Sequence, residues 1–394
     1  MTRVRLSIVG SAGLAAVLLL VVPTVPAAQE TDVTPAQLRA AIDQLGQLDF
    51  NTRMNAARTV RRARPAQGVP ALIEAVTSHA DGYVRFRALV LLSGFNDPRT
   101  KSVILPLLAD PNDRLRSTAY SWLEHNRTPE ALPQLLKALD REESEFVRPE
   151  LMRAVAAYGD DSRAREVMKN LVSRGQDFFR SVAIEALGDR KGAYAIPELT
   201  RVAGLDGPLQ DDAVIALGKI GDKRSVETFA ALQRTAPRDV QPSIAAAICL
   251  LGTNCATHKS YLVETVRFAI GNIGFQELLR PAVGGLAAIA AGGDEQALQA
   301  LVDAGAPARD PARAPIALGL GLAAIRNPEA MLRVVAAQGD PVPLIELLRE
   351  AFDMLEEDFE EEQFFATVRR AYWKAAEGTP PRRAAGILIQ KLEF

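Results

Sequence analysis

Residues 81–92 read Asp-Gly-Tyr-Val-Arg-Phe-Arg-Ala-Leu-Val-Leu-Leu, and variants of this stretch recur along the chain at a nearly constant spacing. Its Arg85 belongs to a series of arginines separated by 31 or 32 residues, which continues in the same frame as Gln210 and Gln241. An acidic residue precedes each arginine by three or four positions. A unit of this size cannot bury its apolar face alone, so the copies must stack on one another. The members of the series are Arg53, Arg85, Arg116, Arg148 and Arg180.

Each unit reads as two helices joined by a short turn that carries the acid. In the second unit, residues 69–76 form an apolar segment with Pro70 in its first turn, and Asp81 opens the next helix. Ala88 and Leu92 follow Arg85 by three and seven positions, which places them on one helical face. The sequence therefore predicts an all-α solenoid of about nine to ten helical hairpins over residues 29–345.

The Asp81-x-x-Val84-Arg85 motif, the proline of the first helix and residues 212–222 (Asp-Ala-Val-Ile-Ala-Leu-Gly-Lys-Ile-Gly-Asp) resemble HEAT repeats. They are similar to the HEAT-like type first described in phycobilisome lyases. The resemblance extends over residues 36 to 255 and weakens from 260 to 340. It implies an armadillo/HEAT-type superhelix, and it says little about function because unrelated binding proteins use this repeat.

The first 28 residues resemble a signal peptide rather than part of the fold. Arg3 and Arg5 precede an apolar run, and Val25-Pro26-Ala27 supplies small residues for cleavage. The alternative is an uncleaved N-terminal membrane anchor, because the apolar run approaches the length that spans a bilayer. We expect an exported protein, periplasmic or secreted, without a membrane segment after cleavage.

Cys249 and Cys255 are the only cysteines, and export would permit a disulfide between them. Two small buried thiols are the alternative. The histidines, at 79, 125 and 258, lie near turns in different repeats and have no sequence neighbour that indicates a catalytic or metal-binding pair. The sequence predicts neither a metal site nor a cofactor.

Residues 346–394 depart from the repeat and predict a modified helical cap. Nine acidic residues fall between Glu346 and Glu362, with leucines and phenylalanines at helical spacing between them. We expect an amphipathic helix with an acidic outer face that closes the stack. The alternative is an acidic docking site for a basic partner or Ca²⁺.

Two groups of arginines have different expected roles. The repeated series predicts a structural ladder, in which Asp and Arg bond within or between neighbouring repeats. Extra arginines at 58, 61, 62 and 64 form a basic patch, which either binds an anionic partner or is a solvated cap of the first repeat. Side chains at variable positions of the second helices are the candidates for partner binding: Arg58, Arg87, Trp122 and Arg153.

The predicted function is an exported, non-enzymatic scaffold that binds a protein or peptide along its concave face. A net charge of −2 gives no general nucleic-acid signature. Nucleophile elbows, phosphate loops and zinc-protease motifs are missing from the sequence. The alternative is an enzyme on a HEAT-like fold, similar to bilin lyases or to alkylpurine DNA glycosylases, whose concave Trp and Asp carry the chemistry.

Overall fold

A computed structural model describes residues 33–355 and 357–394, and within these ranges the chain contains 22 α-helices and no β-strand. The expected signal peptide lies outside the described residues. No helix in the described ranges has the length and apolarity needed to cross a membrane.

Ten helical hairpins follow one another from residue 35 to residue 355, and two further helices follow them. The all-α solenoid predicted from the sequence is confirmed, with a helix count somewhat higher than predicted. The first helices of the hairpins are α1 (Pro35–Gln44), α3 (Pro65–Ser78), α5 (Lys101–Leu107), α7 (Leu132–Leu139), α9 (Ser162–Ser173), α11 (Ile196–Ala203), α13 (Ser225–Thr235), α15 (Cys255–Gly271), α17 (Glu295–Gly305) and α19 (Pro328–Ala337). The second helices are α2 (Phe50–Arg62), α4 (Gly82–Gly94), α6 (Asp113–His125), α8 (Arg148–Ala156), α10 (Asp177–Asp189), α12 (Gln210–Ile220), α14 (Gln241–Leu250), α16 (Gln276–Ala291), α18 (Arg313–Arg326) and α20 (Val342–Leu355). The last two helices are α21 (Asp358–Lys374) and α22 (Pro380–Lys391).

The turn of each early hairpin is held by polar side chains at the start of the second helix. Asp49, Asp81 and Asn112 are N-caps whose side chains accept hydrogen bonds from backbone N–H groups of α2, α4 and α6. The acid that precedes Arg53 and Arg85 in the sequence is thus the helix cap itself, and Asp113, before Arg116, lies next to a cap. These short polar caps fix where α2, α4 and α6 begin.

The repeated arginines fasten the two helices of each hairpin together. Each donates to a backbone carbonyl at the end of the preceding helix or in the turn after it, where helix carbonyls lack intrahelical partners. Gln210 and Gln241 occupy the same frame and donate to Ala203 O and Ala236 O. The arginine contacts are Arg53 with Gln47 O, Arg85 with Val76 O, Arg116 with Asp110 O, Arg148 with Leu139 O and Arg180 with Val172 O.

Some of these arginines also link one hairpin to the next. Arg85 donates to Asp110 of the following hairpin at 2.7 Å, and Arg116 donates to Glu142 at 2.9 Å. Both bonds lie in partly buried surroundings, where a hydrogen bond to a charged group contributes more than one in water. These side chains therefore face the turns between helices rather than an open binding surface.

Consecutive second helices pack directly on one another, and glycines permit close approach. A Cβ atom at Gly218 of α12 would lie 2.6 Å from Ala247 Cα of α14, and one at Gly188 of α10 would lie 2.8 Å from Ala216 Cα. Although Gly218 lies near the end of α12, the residue that ends this helix in the left-handed conformation is Gly221, with φ of 81°.

The layer of second helices curves strongly. Arg326 of α18 reaches α10, four hairpins away, and lies 3.6 Å from Asp189 and 3.9 Å from Glu185. Helix α21 packs against α18 and α19 and also against α4 and α6. Because a single helix contacts both ends of the layer, α21 lies on the concave side of the curve.

Cys249, near the end of α14, and Cys255, the first residue of α15, form a disulfide. The bond spans the turn between the two hairpins, in which Asn254 has a left-handed backbone. It ties the eighth hairpin to the seventh.

Candidate functional site

The concave face is occupied by the chain's own α21, and the groove that receives this helix is the candidate functional site. Its walls are the second helices α2, α4, α6 and α18. Phe364 and Val368 of α21 are completely buried and join the hydrophobic core of the C-terminal repeats. Burial of these apolar side chains supplies much of the free energy that holds α21 in place.

Glu362 is the central polar contact of the groove. Its Oε2 accepts hydrogen bonds from Nε and Nη2 of Arg61 at 2.9 and 2.7 Å, and its Oε1 accepts one from Arg369 at 2.9 Å. The Glu362 side chain is 1% exposed and that of Arg61 is 5% exposed. Burial opposes ionisation, yet the two guanidinium groups hold the pKa of Glu362 below its usual value. The carboxylate is therefore charged and paired inside the fold.

The shape of α4 allows Glu362 to approach so closely. Gly94 ends α4, and a Cβ atom there would collide with the Glu362 carboxyl group. The neighbouring Ser93 accepts a hydrogen bond from Gln363 at 3.1 Å. A small residue and a hydroxyl thus receive two consecutive side chains of α21.

Two of the predicted partner-binding arginines bind the C-terminal segment. Arg87 of α4 forms an ion pair with Asp358, the first residue of α21. Arg58 of α2 donates to the backbone carbonyl of Glu393 at 2.8 Å and forms an ion pair with its side chain at 3.0 Å. Within the described chain, the basic patch near residue 60 thus has an anionic partner that belongs to the same molecule.

The other two predicted binding residues have different surroundings. Arg153 of α8 is 18% exposed, forms an ion pair with Glu150 and lies 3.9 Å from Glu185. Trp122 of α6 is partly buried and packs against the hydrophobic core. The structure brings Arg58 and Arg87 to the C-terminal segment, places Arg153 among acids of the groove, and leaves Trp122 in a packing role.

Glu357, which precedes α21, and Glu360, Glu361 and Glu362 of α21 are buried or half-buried against the groove, whereas the sequence pattern predicts an outer, solvated acidic face. Burial, with the nearby Glu360 adding to it, raises the pKa of Glu357 to about 7, and burial with Asp358 raises that of Glu361 to about 8. The side chain of Glu360 is 12% exposed. The reason for the inward orientation is the row of groove arginines, which a sequence pattern cannot place in space.

A cavity of about 450 Å³ remains in the concave face beyond α21, between α10, α12, α14, α16 and α18. Asp211 and Asp212 line one side, and Arg280 and Arg326 line the other. Burial, with Asp212 and Asp239 nearby, raises the pKa of Asp211 to about 6, although a hydrogen bond with Ser243 opposes the shift. Charges of both signs make this cavity suited to polar side chains of a bound segment.

Several solved structures resemble the chain at low sequence identity. The Escherichia coli protein YibA is 18% identical, with a TM-score of 0.40, covering 55% of this chain and 81% of that chain. The CpcE–CpcF complex of phycocyanin lyase from Nostoc sp. PCC7120 is 21% identical, with a TM-score of 0.37, covering 58% and 91%. Human deoxyhypusine hydroxylase in complex with glycerol is 18% identical, with a TM-score of 0.28, covering 56% and 85%.

No curated protein sequence matches the chain. The family model for HEAT repeats matches it twice, over residues 38–124 and 102–188. These matches cover the stretch in which the arginine ladder, the helix caps and the paired helices recur most regularly. The chain therefore contains HEAT repeats, which the family model places at residues 38–188.

Proposed function

We propose that this protein is an exported, non-enzymatic HEAT-repeat scaffold that binds an acidic helical segment of a protein partner in its concave groove. The observation that carries the proposal is the docking of α21. This helix combines buried aromatic and aliphatic residues with acids that pair with groove arginines. Helix-in-groove binding of this kind is a common mode of peptide recognition.

The groove has the features that a competing helix would need. Arg61 and Arg87 are cationic groups of the groove, and Gly94 leaves room for a carboxylate between Arg61 and α4. A partner helix that presents a buried acid and neighbouring phenylalanines would satisfy the same contacts. In the resting chain, α21 occupies this place, so partner binding requires exchange of one acidic helix for another.

The test measures that exchange in the full-length protein. A labelled peptide with the sequence of residues 358–374 is titrated into the wild-type chain and into Asp358→Arg. This substitution replaces the acidic partner of Arg87 by a second positive charge. The peptide should bind Asp358→Arg several-fold more tightly, because α21 is released more readily. Glu143→Arg is the matched control, since Glu143 is an exposed acid in the turn before α8.

A scrambled peptide of the same composition should bind neither variant. Equal peptide binding by Asp358→Arg, Glu143→Arg and the wild-type chain would contradict the exchange.

If the peptide binds Asp358→Arg more tightly, crosslinking in the native host with this variant as bait identifies the partner. Loss of the captured protein upon adding the peptide would tie it to the groove.

A further inference from the structure

Three potential metal ligands meet where α6 ends against the start of α21. Glu124 and His125 are the last two residues of α6, and Glu360 lies in the first turn of α21. A carboxylate oxygen of Glu124, a ring nitrogen of His125 and a carboxylate oxygen of Glu360 all lie within 4.8 Å of one another. His125 Nε2 and Glu360 Oε1 are 3.8 Å apart.

Glu124 provides a second, independent indication of a cation. The residue is 4% exposed, and its Oε1 accepts a hydrogen bond from Arg190 at 2.6 Å. Its Oε2 is buried and has no hydrogen-bond partner among the described residues. A buried carboxylate oxygen without a partner is costly, because it has lost its water without replacement. A bound cation at this cluster would supply the missing interaction.

The imidazole of His125 is held in position for ligation. Its ring stacks on Phe359 of α21, with centroids 5.6 Å apart and planes inclined by 19°. Phe359 is buried, so the stacking fixes the ring beside Glu360. Arg190 bonds to Glu124 from the end of α10 and orients that carboxylate from outside the cluster.

The ligand set favours a first-row transition metal over Ca²⁺ or Mg²⁺. One imidazole nitrogen with two carboxylate oxygens suits Zn²⁺, whereas Ca²⁺ and Mg²⁺ prefer oxygen ligands alone. Tetrahedral Zn²⁺ with bonds of about 2.0–2.1 Å separates its ligand atoms by roughly 3.3 Å. The 3.8 Å between His125 and Glu360 requires only a small side-chain adjustment.

We propose that Glu124, His125 and Glu360 bind one divalent transition-metal ion, for which Zn²⁺ is the best match, and that the ion fastens α21 to α6. The three protein ligands leave a fourth position for water. The ion joins side chains from opposite ends of the solenoid, so it stabilises the closed form of the groove. The proposal concerns the resting chain and does not depend on any partner.

The test uses the full-length, tag-free protein after dialysis against a chelator. Zn²⁺ affinity is measured by competition with a chromophoric chelator and by calorimetry, with Ca²⁺ and Mg²⁺ in parallel titrations. We expect one Zn²⁺ per chain, and at least tenfold weaker binding for His125→Ala and for Glu360→Gln. The control is His79→Ala, because His79 lies 3.4 Å from Asp43 and forms a similar pair outside the cluster.

A second measurement distinguishes loss of the metal site from poor folding of a variant. Zn²⁺ should raise the melting temperature of the wild-type and His79→Ala chains, and should not raise that of His125→Ala, whose circular dichroism checks its fold. The proposal is overturned if the wild-type chain binds no Zn²⁺ at micromolar concentration. It is also overturned if His125→Ala retains full affinity, or if Ca²⁺ binds more tightly than Zn²⁺. Binding of the 358–374 peptide to Asp358→Arg tests the scaffold function separately.

Discussion

Replacing Glu362 by Gln tests whether the buried ion cluster holds α21 in the groove. Gln keeps the shape of the side chain but removes the charge that Arg61 and Arg369 share. Arg61 is 5% exposed and Arg369 19% exposed, so both guanidinium groups would remain in the fold without their counter-ion. Removing one partner of a buried ion pair costs about 3–5 kcal/mol. We expect a loss in the free energy of unfolding within that range.

A double-mutant cycle measures the interaction between Arg61 and Glu362 separately from the contacts that each makes with other residues. Arg61→Met alone should also destabilise the chain, because it leaves Glu362 with Arg369 as its one cationic partner among the described residues. The double variant Arg61→Met, Glu362→Gln should lose less stability than the sum of the two single changes, by at least about 1 kcal/mol. If the stability loss of the double variant equals the sum of the two single losses, the two side chains do not interact.

Two measurements follow the effect. Urea unfolding monitored by circular dichroism gives the free energy of unfolding, and limited proteolysis at the junction of α20 and α21 reports release of the helix. Glu143→Gln is the control and should change stability by less than about 0.5 kcal/mol, as exposed positions do. If Glu362→Gln matches the wild-type chain in both measurements, α21 is not held in the groove by this cluster.

Three further predictions test other parts of the molecule. The pKa of Asp211 is raised to about 6 in the fold, so the free energy of unfolding should fall as pH rises through this value. In urea melts, the decrease between pH 5 and pH 8 should be smaller by about 1 kcal/mol in Asp211→Asn than in the wild-type chain. Gly218→Ala should cost about 1–3 kcal/mol because its Cβ would meet Ala247, while Gly284→Ala, with no atom within 4 Å, should gain up to about 1 kcal/mol in the same melts. Cleavage of the expected signal peptide should leave a chain that begins at residue 28 or 29 by N-terminal mass analysis, and recovery of the uncut chain from membranes would favour the anchored alternative.

The repeat and its helices could be predicted from sequence because their causes are local. The arginine register, the capping acid at Asp81 and the apolar spacing at Ala88 and Leu92 each act within one hairpin or between neighbours. In a linear stack, those interactions determine the fold almost completely. The role of Gly188 and Gly218 is not decided by the sequence, because glycine near the end of a helix can either terminate the helix or permit close packing against a neighbouring helix.

The partners of the concave face could not be predicted, because they depend on how the small rotations between hairpins accumulate. Acidic residues on α21 and arginines on α2 and α4 are each visible in the sequence, but nothing local connects Glu362 with Arg61. The same holds for His125, which has no ligand partner along its own helix apart from Glu124 and meets Glu360 only after the solenoid curves. The sequence by itself determined the hairpin, its repeat and its all-α class. Only the tertiary structure decided that the acidic helix fills the groove, because that contact requires the summed curvature of the whole stack.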